Sequence, residues 1–433
     1  MVDTLAVLLI VLILISFASF KYRVPPFLTL IGGAFLFGIL TGLNPDTIIN
    51  QIIRGMSKTF MAFGILIFCG SVIAKSMQKQ NHIEEIVSDI NKKIRDFASI
   101  SAISSYLLTI PLTCCITAYI MLAPIISGLE KNKNIKNIGL YLAAVSGVVA
   151  YVLVFPTPVT IPLYEALSKE QNPLIFDAIS IPLSITILVI FVFLGRHYIK
   201  KKRSEAEHAL RDKMGSQIVH SLENENISFH KRAWAPFIVM IFAIPLGYFL
   251  LGLSHTGIIN FIMLSGLVTA FLLANPKIRN VCVNDGAKHA GLIIFDLCGA
   301  GALGFVMVES GIANDAINIY PDFMPVILIP FLIAAILATA QGSRVVTGVI
   351  SAEILSGLGI FSTIHPFVMI LLVSAGACTI SYVTDPFFWL VQRTTNDSPG
   401  KVVKYYTLPL AAAGIFILII AVLLDFFVLN EFH

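Results

Sequence analysis

Charged residues are scarce in this chain, and their scarcity limits the class of protein it can be. Only 12% of the 433 residues are Asp, Glu, Lys or Arg, whereas soluble domains average about a quarter. Hydrophobic residues make up 57%, and the mean hydropathy is +0.88. Apolar runs long enough to cross the ~30 Å hydrocarbon core of a bilayer recur along the whole chain. The composition excludes a soluble globular protein and predicts an all-α polytopic protein of the cell membrane.

Motifs of ATP hydrolysis and of metal catalysis are also missing. The chain has no P-loop pattern (GxxxxGK followed by Ser or Thr) and no HExxH. Its six cysteines fit neither a zinc spacing nor a disulfide framework. The net charge of +4 comes from Lys and Arg in short loops, where membrane topology accounts for it without a nucleic-acid partner. We therefore expect neither an enzyme nor a metal or cofactor site.

One polar stretch divides the chain nearly in half. Arg196–Arg232 carries nine Lys and Arg against five Asp and Glu and is the longest hydrophilic segment. Apolar segments lie on both sides of it. We predict a first transmembrane repeat over 1–195, a cytoplasmic linker over 196–232 and a second transmembrane repeat over 233–433. The apolar residues 1–20 are interpreted as a retained first span.

The two halves share a sequence register. The matched pairs are Cys69-Gly70 with Cys298-Gly299 (298 − 69 = 229), Ala123–Leu129 with Ala352–Leu358 at the same offset, and Asn44-Pro45 with Asn275-Pro276 at an offset of 231. Each match alone is weak in so apolar a chain, but a shared register is hard to obtain by chance. Internal duplication is the usual construction of secondary transporters.

Positive charges predict the orientation of the two halves. Arg196–Arg232 is expected in the cytoplasm because cytoplasmic loops carry an excess of Lys and Arg. Counting spans from it places both chain termini outside and the other basic clusters inside, except Arg54 and Lys58. The first half then starts outside and the second starts inside. The repeats are therefore predicted to be inverted, with about five spans in each.

Two long apolar segments are interrupted near their middle. Pro111 interrupts 97–129, and Gln341-Gly342 interrupts 323–361. A limb of about 16 residues spans only about 24 Å at 1.5 Å per residue, which is short of a full crossing. Each segment is predicted to be a re-entrant hairpin, which gives ten spans plus two hairpins. Fourteen spans is the alternative, and it leaves the inversion unchanged.

Each half also contains a predicted broken helix. Prolines at 156, 158 and 162 interrupt the first half, and Ser381–Pro386 interrupts the second. Backbone leaves helical geometry at membrane depth only where it lines a cavity or is buried in protein. Half-helix ends at such a place offer amide N–H groups to anions and carbonyls to cations. The matched breaks predict a central binding site, and a simple kink is the alternative for each proline.

The second break carries the most specific resemblance. Ser381–Val391 reads SYVTDPFFWLV and is similar to the SHVNDxGFWL signature of the gluconate permease (GntP) family within the ion transporter superfamily. Gly299–Ala302 followed by Glu309–Gly311 resembles that family's glycine run followed by DSG. Ala340–Ser343 resembles its GSAT segment, and Pro156–Pro158 falls at the end of its PPHPGP. The resemblance covers nearly the whole chain in the same order. It implies uptake of a sugar acid or small hydroxy acid, usually with protons, by a homodimer.

The chain departs from the family at three of these places. Phe155 stands where the family has histidine, and Cys115–Thr117 stands where it has an acidic residue at the first hairpin tip. Arg344 replaces the small residue that follows Gly-Ser at the second tip. Two polar groups are lost and one cation is gained, so the resemblance does not carry over gluconate itself as the substrate.

Arg344 is the most informative single residue. An arginine at the bilayer centre costs about 2.5–3.5 kcal/mol on insertion scales, so we expect it to have a partner. Its planar guanidinium matches a carboxylate in bidentate geometry. We predict that it binds the substrate carboxylate; the alternatives are that it snorkels or pairs permanently with Glu353 or Asp385. The candidate substrate-binding residues are Thr113, Thr117, Pro156, Thr157, Gly342, Ser343, Arg344, Ser381, Thr384 and Asp385.

Acids at membrane depth are the candidates for ion coupling. They are Asp385, Asp296 and Glu353, and Asp385 comes first because it lies in a broken helix. A buried carboxyl can bind a proton, and one beside unwound carbonyls can equally bind Na⁺. Asp296 can alternatively be a buried residue bonded to a neighbouring helix.

Taken together, these patterns favour a secondary transporter that moves a small organic anion by alternating access, driven by H⁺ or Na⁺. A channel or an ion-only exchanger without an organic substrate is the alternative. The amphipathic stretches Asn44–Lys58 and Gln78–Asp96 are interpreted as interfacial helices.

Overall fold

A computed structural model describes residues 4–22, 24–94, 96–168, 171–211, 230–311, 325–357, 364–382 and 385–429. These residues form helices and short connections, and no strand occurs among them. The predicted all-α class is confirmed.

In the described part of the chain, each half contains three successive helices, a hairpin, a broken helix and a final helical segment, in that order. The helices of the first half are α1 (Thr4–Lys21), α2 (Pro26–Leu40), α3 (Pro45–Lys79), α4 (His82–Ile94), α5 (Phe97–Leu112), α6 (Cys115–Leu129), α7 (Lys133–Leu153), α8 (Thr160–Leu167) and α9 (Pro173–Arg211). The helices of the second half are α10 (Lys231–Pro245), α11 (His255–Leu273), α12 (Pro276–Glu309), α13 (Ile329–Gln341), α14 (Arg344–Gly357), α15 (Pro366–Thr379), α16 (Pro386–Thr395), α17 (Pro399–Val402) and α18 (Leu408–Leu424). A π-helical turn, Leu246–Leu250, extends α10, and another, Val403–Thr407, joins α17 to α18.

Helix boundaries in the two halves keep the sequence register. Helix α6 begins at Cys115 and α14 at Arg344 (344 − 115 = 229), while α9 begins at Pro173 and α17 at Pro399 (399 − 173 = 226). The offset therefore changes by only three residues between the hairpins and the last helices. The internal repeat read from scattered residue matches is a repeat of whole helices.

The same local signal starts α3 and α12. Asn44 accepts the backbone N–H of Asp46 at 3.0 Å, and Asn275 accepts that of Lys277 at 3.1 Å. Proline occupies the first helical position in both. An Asn cap satisfies an amide that the helix start leaves free, and proline has no amide there to satisfy. The repeated Asn-Pro pair is thus a duplicated helix start.

Helices α3 and α12 pack side by side and run antiparallel. Gly55, in the first part of α3, lies against Gly301 in the last part of α12, and Gly286 lies against Val72. Gly55 and Gly286 are equivalent positions (286 − 55 = 231), so the same glycine of each repeat contacts the long helix of the other repeat. Antiparallel contact between equivalent helices requires a two-fold relation between the halves. The repeats are inverted, as the charge pattern predicted.

Both long interrupted segments are helical hairpins. Helices α5 and α6 meet at Thr113, and α13 and α14 meet at Gly342; the two residues have left-handed φ values of 51° and 64°. The four limbs have 16, 15, 13 and 14 residues. At 1.5 Å per residue none exceeds about 24 Å, which is less than the ~30 Å of a bilayer core. These limb lengths fit the re-entrant reading.

The two predicted helix breaks are also present. Helix α7 ends at Leu153 and α8 begins at Thr160, with a cis peptide bond between Phe155 and Pro156. Helix α15 ends at Thr379 and α16 begins at Pro386. Candidate residue Thr384, in the second break, lies outside the described residues.

Setting aside the hairpin limbs and the short α4, α8, α16 and α17 leaves ten helices in the described part of the chain, five in each half. Six candidate spans are long and apolar enough to cross a membrane by length and composition, and the other spans are shorter apolar helices.

Of the two predicted interfacial helices, α4 is a separate helix. The prediction for Asn44–Lys58 is wrong, because these residues cap and continue into the 35-residue α3. Helix α9 extends into the predicted linker as far as Arg211.

Candidate functional site

A buried ion pair lies where the second hairpin meets the second broken helix. Arg344 is the first residue of α14, and its Nη2 lies 3.1 Å from Asp385 Oδ2 and 3.1 Å from the Tyr406 hydroxyl. The same nitrogen donates a hydrogen bond to Ser381 Oγ. Arg344 is 7% exposed and Asp385 is 3% exposed. Three of the predicted site residues, Arg344, Ser381 and Asp385, are therefore in direct contact.

Local structure fixes Asp385 in this cluster. It is the N-cap of α16, and its Oδ1 accepts the backbone N–H of Phe387 at 2.8 Å. Asp is a favoured N-cap, and the proline that follows suits the first helical position. Its Oδ2 accepts a hydrogen bond from the Tyr406 hydroxyl at 3.0 Å as well as the one from Arg344. One carboxylate oxygen thus supports the helix, and the other faces the guanidinium.

The hairpin tip places Arg344. Gly342 has the left-handed conformation that ends α13, and Ser343 caps α14 by accepting the Val346 N–H at 3.4 Å. At the first tip, Cys114 Sγ accepts the Thr117 N–H at the same distance and the same repeat position (343 − 114 = 229). Gly342 and Ser343 therefore shape the turn from which Arg344 projects.

The hydrogen bonds of Arg344 are concentrated on one nitrogen. All three described contacts use Nη2, while Nε is buried and has no hydrogen-bond partner among the described residues. Burying two charges is costly unless their hydrogen bonds are satisfied, and most buried polar atoms are. The guanidinium thus keeps a buried donor for a further acceptor.

The candidates at the first hairpin contact other helices. Thr113 forms the tip, and a Cβ atom on Gly70 would lie 2.6 Å from its hydroxyl, so the tip rests directly on α3. Thr117 Oγ1 lies 3.2 Å from His289 Nε2 on α12. Neither threonine is hydrogen-bonded to Arg344 or Asp385 in the described part of the chain.

The first helix break has its own polar contacts. The Thr157 hydroxyl donates to the carbonyl of Tyr151 at 2.7 Å. The Phe155 N–H donates to Asp177 Oδ1 at 3.0 Å, and a cavity of about 80 Å³ lies beside Pro156 and Asp177. Sequence reasoning missed Asp177, although an acid near the start of an apolar span is a usable signal.

Two further acids predicted for coupling lie elsewhere. Asp296 Oδ1 accepts the Phe27 N–H at 3.1 Å at the start of α2, which matches its alternative role as a residue bonded to a neighbouring helix. Glu353 pairs with Lys58 at 2.9 Å. Of the two acids considered as permanent partners of Arg344, Asp385 is the one in contact with it. Lys58 is one of the two basic residues predicted to lie outside, against the charge pattern, and its ion pair with Glu353 gives a physical reason for that position.

Tyr406 is the residue of the cluster that the sequence did not indicate. Its hydroxyl bonds both charged groups, and the side chain is fully buried. A tyrosine near a span end and next to basic residues reads as an interfacial anchor. The adjacent Thr407 donates to the Ser381 carbonyl at 2.5 Å and so ties the π-helical turn to the broken helix.

Comparison with known proteins identifies the family. The model of the GntP family permeases matches residues 3–427. The chain belongs to this family. It is 22% identical to the D-serine transporter DsdX of Escherichia coli over 97% of this chain and 98% of that one, and 22% identical to the gluconate permease of Pseudomonas aeruginosa over 94% and 93%. An uncharacterized permease of Haemophilus influenzae is 25% identical over 94% and 89%.

A solved structure shows the same fold. It is the Alcanivorax borkumensis YdaH transporter, described as having an unusual topology, with a TM-score of 0.59, 13% identity and coverage of 89% of both chains. The family resemblance read from the sequence is confirmed, and the chain is a multi-pass membrane transporter of the gluconate permease family.

Proposed function

We propose that this chain is a secondary active transporter that takes up a small organic anion, such as a sugar acid or hydroxy acid, by alternating access in symport with H⁺ or Na⁺. Relatives are named for gluconate, L-idonate and D-serine, each of which carries one carboxyl group and at least one hydroxyl. The observation that carries the proposal is Arg344, a buried cation at a hairpin tip whose Nε has no hydrogen-bond partner in the described part of the chain.

In this proposal Arg344 binds the substrate carboxylate, and the second helix break lies beside it. Arginine suits this role because its planar fork matches a carboxylate with two parallel hydrogen bonds. Ser381 and Tyr406 add hydroxyl groups within the same cluster. The cluster is closed to solvent in this conformation, so the substrate reaches it only when the two repeats move relative to each other.

Uptake into proteoliposomes tests the proposal. A pH or Na⁺ gradient is imposed, and accumulation of labelled D-gluconate, L-idonate, D-glycerate and D-serine is measured. Arg344→Lys keeps the charge but loses the bidentate contact, so the half-saturation concentration should rise roughly ten- to a hundred-fold. Arg344→Ala should abolish transport. Arg393→Lys, an exposed arginine on α16, is the matched control and should behave as wild type.

Two results would contradict the proposal. The first is an affinity within about twofold of wild type in a well-folded Arg344→Ala protein. The second is a cation flux that needs no organic solute, which would indicate a channel or an ion-only exchanger.

A further inference from the structure

The edge of the Arg344 guanidinium that suits a ligand carboxylate is formed by Nε and Nη2, and only Nε is without a partner among the described residues. In a guanidinium the N–H of Nε and one N–H of Nη2 point to the same side, and a carboxylate can bind this edge with two parallel hydrogen bonds. Nε is buried without a partner among the described residues, while Nη2 donates to Asp385 Oδ2 at 3.1 Å. Nη2 has two N–H groups and already faces three acceptors, namely Ser381 Oγ, Asp385 Oδ2 and the Tyr406 hydroxyl. A carboxylate that binds Nε and Nη2 must therefore displace one of them, and Asp385 Oδ2 is the one with the same charge as the incoming oxygen.

Asp385 can lose its hydrogen bond to Arg344 and still be held in position by its other two hydrogen bonds. Its Oδ1 stays on the Phe387 N–H at the start of α16, and its Oδ2 keeps the Tyr406 hydroxyl at 3.0 Å. Only the hydrogen bond to Arg344 has to break. A hydroxyl can donate or accept, so Tyr406 can bond Oδ2 whether that oxygen is ionised or carries a proton.

We infer that the substrate carboxylate and Asp385 compete for Arg344, and that the displaced Asp385 takes up the proton that couples transport. This inference rests on the proposed function and specifies its mechanism. The other titratable groups that face the pair in the described part of the chain are Cys115 on α6, Tyr151 on α7 and Cys378 on α15, and none of these side chains can carry a positive charge in place of Arg344. A buried carboxylate without its cation is neutralised by a proton. The proton moves from solution to Oδ2, and the substrate remains ionised. When the substrate leaves on the other side, Asp385 gives up the proton and pairs with Arg344 again.

Charge balance then defines the substrate class. The cluster is neutral before binding, with Arg344 and Asp385 both ionised, and neutral afterwards, with Arg344 paired to the substrate and Asp385 protonated. Arg344 is the only Lys or Arg that is buried in the described part of the chain. A second carboxylate would lack a cation, so the substrate is a monocarboxylate, and each molecule moves with one proton without net charge transfer.

Calorimetry on the solubilised full-length protein tests the competition directly. The probes are D-gluconate, L-idonate and D-glycerate, none of which has an ammonium group that could pair with Asp385. Binding is measured in two buffers with different ionisation heats, which gives the number of protons taken up per probe. Wild type should take up one proton, and its affinity should fall by about tenfold per pH unit on the alkaline side. The control is Asp46→Asn, a change at an exposed aspartate, and this variant should still take up one proton per probe bound.

Asp385→Asn gives the deciding result. It should bind the probe at least as tightly as wild type, because the competitor is gone, take up no proton, and fail to accumulate substrate in proteoliposomes. Asn is as good an N-cap as Asp, so α16 should still form; Asp385→Ser serves the same purpose if the first variant folds poorly.

Several outcomes would overturn the competition alone. These are loss of binding in folded Asp385→Asn, an unchanged proton count in that variant, and wild-type binding that takes up no proton but strengthens with Na⁺. D-serine is titrated in the same way for comparison, and binding of D-serine but of none of the three probes would also overturn the competition, because the ammonium group would then occupy Asp385. Binding of none of the four acids, or unchanged binding in Arg344→Lys, would instead count against the proposed function and remove the basis of this inference.

Discussion

A Cβ atom built on Gly55 would lie 2.3 Å from the carbonyl oxygen of Gly301. The two repeats therefore meet backbone to backbone between α3 and α12, with no room for a side chain. Small residues permit such close approach between membrane helices. This contact fixes how closely the inverted repeats pack.

Gly55→Ala should destabilise the protein, since the added methyl group must push the two backbones apart. Overpacking of this kind costs typically about 1–3 kcal/mol. Thermal unfolding in detergent measures the effect. The matched control is Gly291→Ala on α12, where nothing lies within 4 Å of the added Cβ. Equal melting temperatures for the two variants would show that the contact is not tight.

Glu353→Gln should leave concentrative uptake intact. Glu353 pairs with Lys58, whose side chain is 51% exposed, and does not contact Arg344. A partly exposed pair is worth at most about 1 kcal/mol, so only a small loss of thermal stability is expected. In a Lys58→Met background, Glu353→Gln should cause no further loss. If folded Glu353→Gln no longer accumulates substrate, Glu353 is a coupling residue after all.

Asp89 on α4 predicts a pH-dependent contribution to stability. It accepts hydrogen bonds from the backbone N–H and Nδ1 of His230 and from Trp234 Nε1, at 2.9–3.1 Å, and so ties α4 to the start of α10. Burial alone raises the pKa of the Asp89 carboxyl, but the hydrogen bonds from His230 and Trp234 outweigh burial and hold that pKa below its usual value.

A carboxyl with a lowered pKa in the folded state stabilises that state when ionised, and the stabilisation is lost as the pH falls through the folded pKa. Asp89→Asn should therefore melt below wild type at neutral pH, and the gap should close as the pH falls below about 4. Melting curves across the acid range measure this. Glu84→Gln, an exposed change on the same helix, should show no such gap; a gap for Asp89→Asn that is constant with pH would refute the electrostatic explanation.

The orientation of the chain remains a prediction, with both termini outside and Arg196–Arg232 inside. Single cysteines are placed at two exposed positions, Lys201 and Asp46, after the native cysteines have been replaced. An impermeant thiol reagent should label Lys201→Cys only from the cytoplasmic face and Asp46→Cys only from outside. The reverse pattern would invert the assigned topology.

Much of the fold could be predicted from the sequence because its signals are local. Asn-Pro starts α3 and α12, Gly342 ends α13, and the prolines after Leu153 end α7, each through the backbone conformations that these residues allow. The register shared by the two halves then indicated an internal repeat, and the distribution of Lys and Arg predicted that this repeat is inverted. The separate helix predicted for Asn44–Lys58 failed, since an amphipathic pattern does not show where a helix continues into an apolar one.

The residues of the candidate site could be predicted only in part from the sequence. The sequence by itself marked Arg344 and Asp385 as unusual, since a charge at membrane depth needs a partner. It left Glu353 open as that partner, whereas the structure places both residues on α14, where nine residues separate them by about 14 Å. Tertiary structure alone brought Asp385, 41 residues away, and Tyr406, 62 residues away, onto one nitrogen of Arg344. That arrangement depends on how the hairpin tip packs against the helix break and the π-helical turn, and no local property of the chain encodes it.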